Sequence, residues 1–187
     1  MTQNLVKAII FMKHIMEIHK VTAFKVCATS AMRDAKNSDE ILARVKKEAG
    51  LEIQIISGDR EGKTILGVPL DQIGLEPNDF YLYIDVGGGS TELGFLGNGK
   101  LIANRSFNIG TLRLLNDQVN DTEWREMLEW IKATKNINFE LSAIGVGGNI
   151  NHVMKHYGKA GKPYLSISIL KRVMMYMDDL SMGERVR

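Results

Sequence analysis

The residues of this sequence best suited to chemistry are two carboxylates that bracket a run of glycines, in Ile84-Asp85-Val86-Gly87-Gly88-Gly89-Ser90-Thr91-Glu92. An apolar strand delivers Asp85 at its end, three glycines follow, Ser90 and Thr91 add hydroxyls, and Glu92 returns on a second strand. A glycine turn can cradle phosphate oxygens because nothing beyond Cα blocks its amides. Asp85 and Glu92 are hard oxygen ligands, direct or through water, of the kind that Mg²⁺ prefers. A glycine triplet alone would read as a flexible hairpin among scattered surface acids. With an acid before and an acid after, the string reads as a phosphate and metal site.

Other segments are weaker on their own. Gly145-Val146-Gly147-Gly148-Asn149 lies between a strand and a helix, where amides can receive an anion. Ile150 occupies the third glycine position of a dinucleotide fingerprint, so tight strand-to-helix packing is the plainer explanation. Gly94 to Lys100 almost spells a P-loop, but Leu101 stands where Ser or Thr must hold magnesium, and the segment sits in a hairpin. In Ser57-Gly58-Asp59-Arg60-Glu61-Gly62 the acids open a helix, where the dipole alone favours them. Arg33 closes Ala28-Thr29-Ser30-Ala31-Met32-Arg33 just past a strand end and could clamp phosphate bidentately, although such an arginine is more often a surface ion pair. His152 and His156 have no third ligand, Met174, Met175 and Met177 read as core or a dimer face, Lys171-Arg172 as a solvated surface, and Cys27 as a small buried hydrophobe.

The elements that must position these residues follow from periodicity. Residues 3–19 form an amphipathic helix with Leu5, Ala8, Ile9, Met12, Ile15 and Met16 at helical spacing. Phe24–Thr29 is a strand, and Ser38 caps a second helix that carries Asp39 and Glu40 first, Lys46 and Lys47 last, and Gly50 beyond. Ile53–Ile56 is a strand and Asp59–Val68 opens a helix, so the first part alternates as parallel α/β chains do. Phe80–Val86, Thr91–Leu96 and Leu101–Phe107 are then strands of a meander, with Gly97-Asn98-Gly99 as a hairpin turn. Helices near Thr111–Leu115 and Thr122–Lys135, a strand at Leu141–Val146, and helices at Asn149–Tyr157 and Ser166–Leu180 complete the order. The loop Gly74–Asp79 is the expected boundary, giving units 1–76 and 77–187.

Composition bounds the rest. The chain has 187 residues with 24 Lys+Arg against 22 Asp+Glu, and a net charge of +2 argues against an extended nucleic-acid surface. The charge is segregated: residues 1–50 carry +4, residues 51–150 carry −6 and residues 151–187 carry +4. Fourteen of the 18 glycines lie between Gly58 and Gly148, so the glycine-rich part is the acidic part. Phosphate bound there calls for a metal ion. One cysteine can make neither an internal disulfide nor a zinc cage, and no apolar run is long enough for a bilayer, so a cytoplasmic protein is expected with no membrane partner.

Taken in order, Ala28–Arg33, Ile56–Glu61, Asp85–Glu92, Ser106–Arg113 and Gly145–Gly148 resemble the exopolyphosphatase and guanosine pentaphosphate phosphohydrolase family, Ppx/GppA. The resemblance implies an α/β fold of the actin-like ATPase (ribonuclease H-like) class, with parts of two related domains, mixed sheet and flanking helices. It implies removal of terminal phosphate from inorganic polyphosphate or guanosine pentaphosphate with Mg²⁺. By the same resemblance Glu61 is the general base on the attacking water, and Asp85 and Glu92 are the acids of the metal site. Gly87, Gly88, Gly89 and Ser90 form the phosphate turn, Arg33 contacts phosphate, and Gly147, Gly148 and Asn149 line the cleft. Arg60 stands where relatives usually carry another glutamate, and Asn149 where many carry threonine. The family's first phosphate loop has no counterpart here, nor does the closing part of its second domain. From this an unpaired sheet edge and a homo-oligomer are expected. The alternatives are a non-catalytic phosphate or nucleotide-binding module of the same fold and a relative of the actin-like ATPases and sugar kinases.

Overall fold

The computed structural model describes residues 2–65, 76, 78–134, 141–159, 161–162 and 164–181. The chain opens with helix α1 (Thr2–Ile18), which packs on α3 (Ser38–Ala49). Between them lie the short strand β1 (Val26–Ala28) and a five-residue helix α2 (Ser30–Asp34). Strand β2 (Ile53–Ile55) pairs in parallel with β1, Val26 opposite Ile53, and leads into α4 (Gly58–Ile65). The core here is Val6, Ile41, Val45, Ala49 and Leu51, with Ile9, Ile10 and Met16 against it.

That core differs from the sequence expectation for α1. Leu5 and Met12 are 40% and 60% exposed, and the stripe facing α3 is Val6, Ile9, Ile10 and Met16. The reason is that α1 is apolar around most of its circumference, Phe11 and Ile18 included, so periodicity alone does not single out the buried face. The start of α3 differs too. Ser38 is its first helical residue, Asn37 takes the cap position without a side-chain capping bond, and the Asn37 amide instead donates to Thr2 Oγ1 of α1 at 3.2 Å. Its other end is as expected: Gly50 is left-handed at φ 67° and returns its N–H to Lys46 O at 3.1 Å. Val68, the expected end of α4, lies outside the described residues, as do Gly74, Leu75 and Pro77 of the expected boundary loop and Lys135 at the end of the next long helix.

Strands β3 (Phe80–Val86), β4 (Thr91–Gly97) and β5 (Lys100–Phe107) form an antiparallel meander. Asn98 and Gly99 turn the β4–β5 hairpin at φ 51° and 71°, which bears out the Gly97-Asn98-Gly99 signal and the rejection of a P-loop there. Helices α5 (Thr111–Leu115) and α6 (Asp121–Thr134) follow, then β6 (Leu141–Val146), α7 (Gly148–Tyr157) and α8 (Ile167–Asp178). Ser166 caps α8 by accepting from Ile169 N at 3.4 Å. The sheet order is β5-β4-β3-β6, with β6 parallel to β3.

All seven residues of β4 are buried, because both faces of the sheet are covered. On one face Leu93, Phe107 and Ile109 pack with Met127, Trp130 and Ile131, the last three from α6. Tyr81, Tyr83 and Leu96 pack with Ile144 and Val146 in a separate cluster. Helix α4 of the first part rests on β5 and β4 of the second. No helix among the described residues is long and apolar enough to cross a membrane.

Candidate functional site at the carboxyl ends of the strands

The parallel pairs β1/β2 and β3/β6 send every candidate segment out from their carboxyl ends: α2 after β1, α4 after β2, the glycine turn after β3, and the second glycine loop after β6. This is where ligands gather in open α/β sheets. In the turn Gly87–Ser90, Gly87 N–H donates to Ser90 O at 2.9 Å. None of its three glycines has a positive φ, so what they supply is space. A Cβ on Gly89 would run into the side chain of Ser30 at the start of α2, and one on Gly88 would lie 3.2 Å from Leu112.

The carbonyls of the three glycines all have partners on the α5 side. Gly87 O accepts from Thr111 N at 3.0 Å, Gly88 O from Leu112 N at 2.8 Å, and Gly89 O from Arg113 Nε at 2.6 Å. In a trans peptide the next residue's N–H points opposite to the carbonyl. The amides of Gly88, Gly89 and Ser90 are therefore directed away from α5, as a row of three donors fit to receive an anion.

Asp85 and Glu92 are direct cross-strand partners and so share one face of the β3–β4 ladder. Glu92 is buried at 3% exposure and accepts from Ser106 Oγ at 2.9 Å. Burial pushes its carboxyl above the usual range; the Ser90 and Ser106 hydroxyls oppose this, and the negative charges of Glu61 and Asp85 add to it. Tyr83 donates its hydroxyl to Asp85 Oδ2 at 3.3 Å, and burial together with that carboxylate raises the phenol well above its ordinary value, so it stays a donor. Among the described residues no lysine or arginine pairs with Asp85 or Glu92, and no three acidic, histidine or cysteine side chains converge as a metal cage. Two neighbouring carboxylates without a cation suit Mg²⁺ shared with phosphate oxygens and water, which is how that ion is commonly held.

Helix α4 brings Glu61 to this face because its glycines permit close contact with β5. A Cβ on Gly58 would collide with Ser106, and one on Gly62 would come 3.1 Å from Asn104 Nδ2. Asn104 Nδ2 donates to Asp59 O at 2.9 Å, and Ser106 N to Asp59 Oδ1 at 3.4 Å. Arg33 Nη1 donates to Ile56 O at 2.7 Å and to Glu61 Oε2 at 3.1 Å, both side chains being mostly buried. Arg33 thus makes the ion pair that such an arginine commonly makes, here a mostly buried one that holds Glu61. Glu61 Oε1 accepts no hydrogen bond among the described residues.

At the second loop, Gly147 has φ 111°, and a Cβ there would lie 2.9 Å from Val86 O and 3.7 Å from Asp85 Oδ1. Gly145 is packed against Ile150 of α7, the tight strand-to-helix packing expected here, whereas Gly147 is required by its positive φ and its approach to the end of β3. Gly148 and Asn149 open α7 and are exposed, and Gly148 has open space around it.

Four contributors went unread in the sequence: helix α2, Ser106 as the partner of Glu92, Asp59 and Asn104 as the α4–β5 fastening, and Arg113 paired with Asp34. Only the i, i+4 spacing of Gly58 and Gly62 could have signalled the fastening. Cys27 is exposed rather than buried, because alternation along β1 sets it opposite Val26 and Ala28. Met174 and Met175 are 64% and 69% exposed and are not core, whereas Val173 of the same helix is buried. Lys171 and Arg172 are exposed, as expected.

A mixed-sheet α/β protein that gathers glycine loops and acids at its strand ends is the class this arrangement defines. Residues 1–179 match the Ppx/GppA phosphatase family, and the chain belongs to that family. It is 34% identical over 137 residues to a bifunctional 3-dehydroquinate synthase/phosphatase of Fusobacterium nucleatum, 65% of this chain and 20% of that protein. It is 41% identical over 66 residues to exopolyphosphatase 1 of Mycobacterium tuberculosis, 35% of this chain and 19% of that protein. With the guanosine-5′-triphosphate,3′-diphosphate pyrophosphatase of Aeromonas hydrophila it shares 39% identity over 105 residues, 54% of this chain and 20% of that protein. The crystal structure of the Aquifex aeolicus family member superposes with a TM-score of 0.71 at 26% identity, covering 98% of this chain and 64% of that one. The fold is the α/β fold of that family, a mixed sheet with flanking helices. The matched stretches span about a fifth of the length of these curated relatives.

Proposed function

We propose that this chain carries the hydrolytic site of a phosphohydrolase that releases terminal phosphate from inorganic polyphosphate or guanosine pentaphosphate by attack of water. The observation that carries the reading is the row of Gly88, Gly89 and Ser90 amides beside a paired Asp85 and Glu92, with Glu61 close enough for its charge to act on Glu92. Membership of the Ppx/GppA family and relatives named for polyphosphate and guanosine-phosphate substrates support the choice of substrate class.

The three amides receive phosphate oxygens, and with Gly148 and Asn149 at the start of α7 they hold the terminal group in place. Glu61 Oε1 orients the attacking water and accepts its proton, while Arg33 fixes the other carboxylate oxygen. Phosphoryl transfer asks chiefly for this positioning and for charge neutralisation. Mg²⁺ bound by Asp85 and Glu92 would supply the neutralisation of phosphate charge.

Glu61→Gln keeps the shape and the Arg33 contact and removes the base. Phosphate release from polyphosphate with Mg²⁺ is expected to fall about 100-fold or more, with polyphosphate binding retained. A fully active variant would overturn the assignment. Binding without release by the unmodified chain would favour a non-catalytic module instead.

A further inference from the structure

We propose that Arg113 is a positioning residue that locks helix α2 to the glycine turn, and so sets the Ser90 amide and the Arg33–Glu61 pair in one fixed relation. The inference rests on the phosphohydrolase reading for its consequence, but not for its geometry. Arg113 spends its two ends on different parts of the chain. Nε donates to Gly89 O at 2.6 Å, and Nη2 pairs with Asp34, the last residue of α2. The first bond holds the third carbonyl of the turn on the α5 side, which directs the N–H of Ser90 the other way. The second grips α2 one residue beyond Arg33, whose guanidinium holds Glu61. At the other end of α2, Ser30 lies so close to Gly89 that no Cβ fits between them. Helix α2 is thus tied to the turn at both ends, and Arg113 supplies the tie that is charged and directional. The planar guanidinium fork is what allows one side chain to make both contacts; lysine has no second donor at the right angle.

Arg113→Gln and Asp34→Asn, singly and together, test this on the same chain by two readouts. Amide hydrogen exchange needs no activity. Each single change is expected to speed exchange in both the 28–34 and 87–92 segments, and the double change to add little to Arg113→Gln, because the two residues make one link. Effects confined to the mutated segment, or additive ones, would overturn the clasp.

In phosphate release, Arg113→Gln is expected to lower kcat about 10- to 100-fold with KM moving less than about threefold, as small misplacements of reacting groups do. Arg113→Lys is expected to fail as a rescue, while millimolar guanidinium restores part of the rate of Arg113→Ala. A loss that guanidinium only deepens, or one carried by KM alone, would show that Arg113 serves stability rather than positioning. Asp34 is 55% exposed, where substitution is expected to cost little stability, so Asp34→Asn carries the test where an Arg113 variant does not fold. If the unmodified chain releases no phosphate, the functional reading fails, and the exchange data still decide the clasp.

Discussion

Glu92 sits at 3% exposure among acids, hydrogen-bonded to Ser106 and without a cation beside it among the described residues. An ionised carboxylate there works against folding, and its raised titration point expresses that cost. Between the ordinary value of 4.5 and the raised folded value, the native state holds a proton that the unfolded state has lost. The contribution of Glu92 to stability is therefore fullest below about pH 4.5, falls as pH rises through the folded value, and stays low above it. Glu92→Gln removes the charge and keeps an acceptor for the Ser106 hydroxyl. In metal-free buffer it should melt higher than the unmodified chain at pH 7 and no higher near pH 4, by calorimetry at both values. Phosphate release should be lost in the same variant. A melting temperature unchanged at pH 7 would mean that the buried acid is already compensated.

Among the elements, the fit of α4 against β5 sets how near the charge of Glu61 comes to Glu92. Gly58 is the tightest point, because its missing Cβ is the space that Ser106 occupies. Gly58→Ala must displace Ser106, which also holds Glu92, so it should lower stability by about 1–3 kcal/mol as overpacking does and reduce phosphate release at least tenfold. Gly148→Ala, with open space around it, should stay within about 0.5 kcal/mol of the parent. Urea denaturation of both variants separates these outcomes, and equal costs would mean that Gly58 is not a packing glycine.

The strands, the Asn98-Gly99 hairpin and the left-handed Gly50 were legible in the sequence because period-two alternation and turn chemistry are local. So were Asp85, the glycine turn and Glu92, which lie within one stretch of eight residues. The face of α1, the five-residue α2 and the partners Ser106 and Arg113 were not, since each depends on what tertiary packing brings alongside. Arg113 meets Asp34 across 79 positions of sequence, a separation over which spacing carries no signal.

For the whole molecule, the consequence lies in how its two sheets are joined. The two-stranded β1-β2 sheet brings α2 and α4, while the four-stranded sheet brings the glycine turn, Asp85 and Glu92. They meet through the α4–β5 fastening, the Arg113–Asp34 pair, and Ser30 against Gly89. A ligand held by the turn and facing Glu61 touches both sides of that junction, so its binding energy adds to the stability of each. At one hundred times its dissociation constant such a ligand stabilises by about 2.7 kcal/mol, which for a chain of this size is a rise of roughly 5–10 °C in melting temperature. Pyrophosphate or short polyphosphate with Mg²⁺ should therefore raise the melting temperature and merge probes of the two sheets into one transition. Trp124 and Trp130 on α6 report the second sheet by fluorescence, and exchange in 26–28 and 53–55 reports the first. The Mg²⁺-dependent part of the shift should vanish in Glu92→Gln and persist in Glu61→Gln. A shift confined to the tryptophan probe would place the ligand on the four-stranded sheet alone.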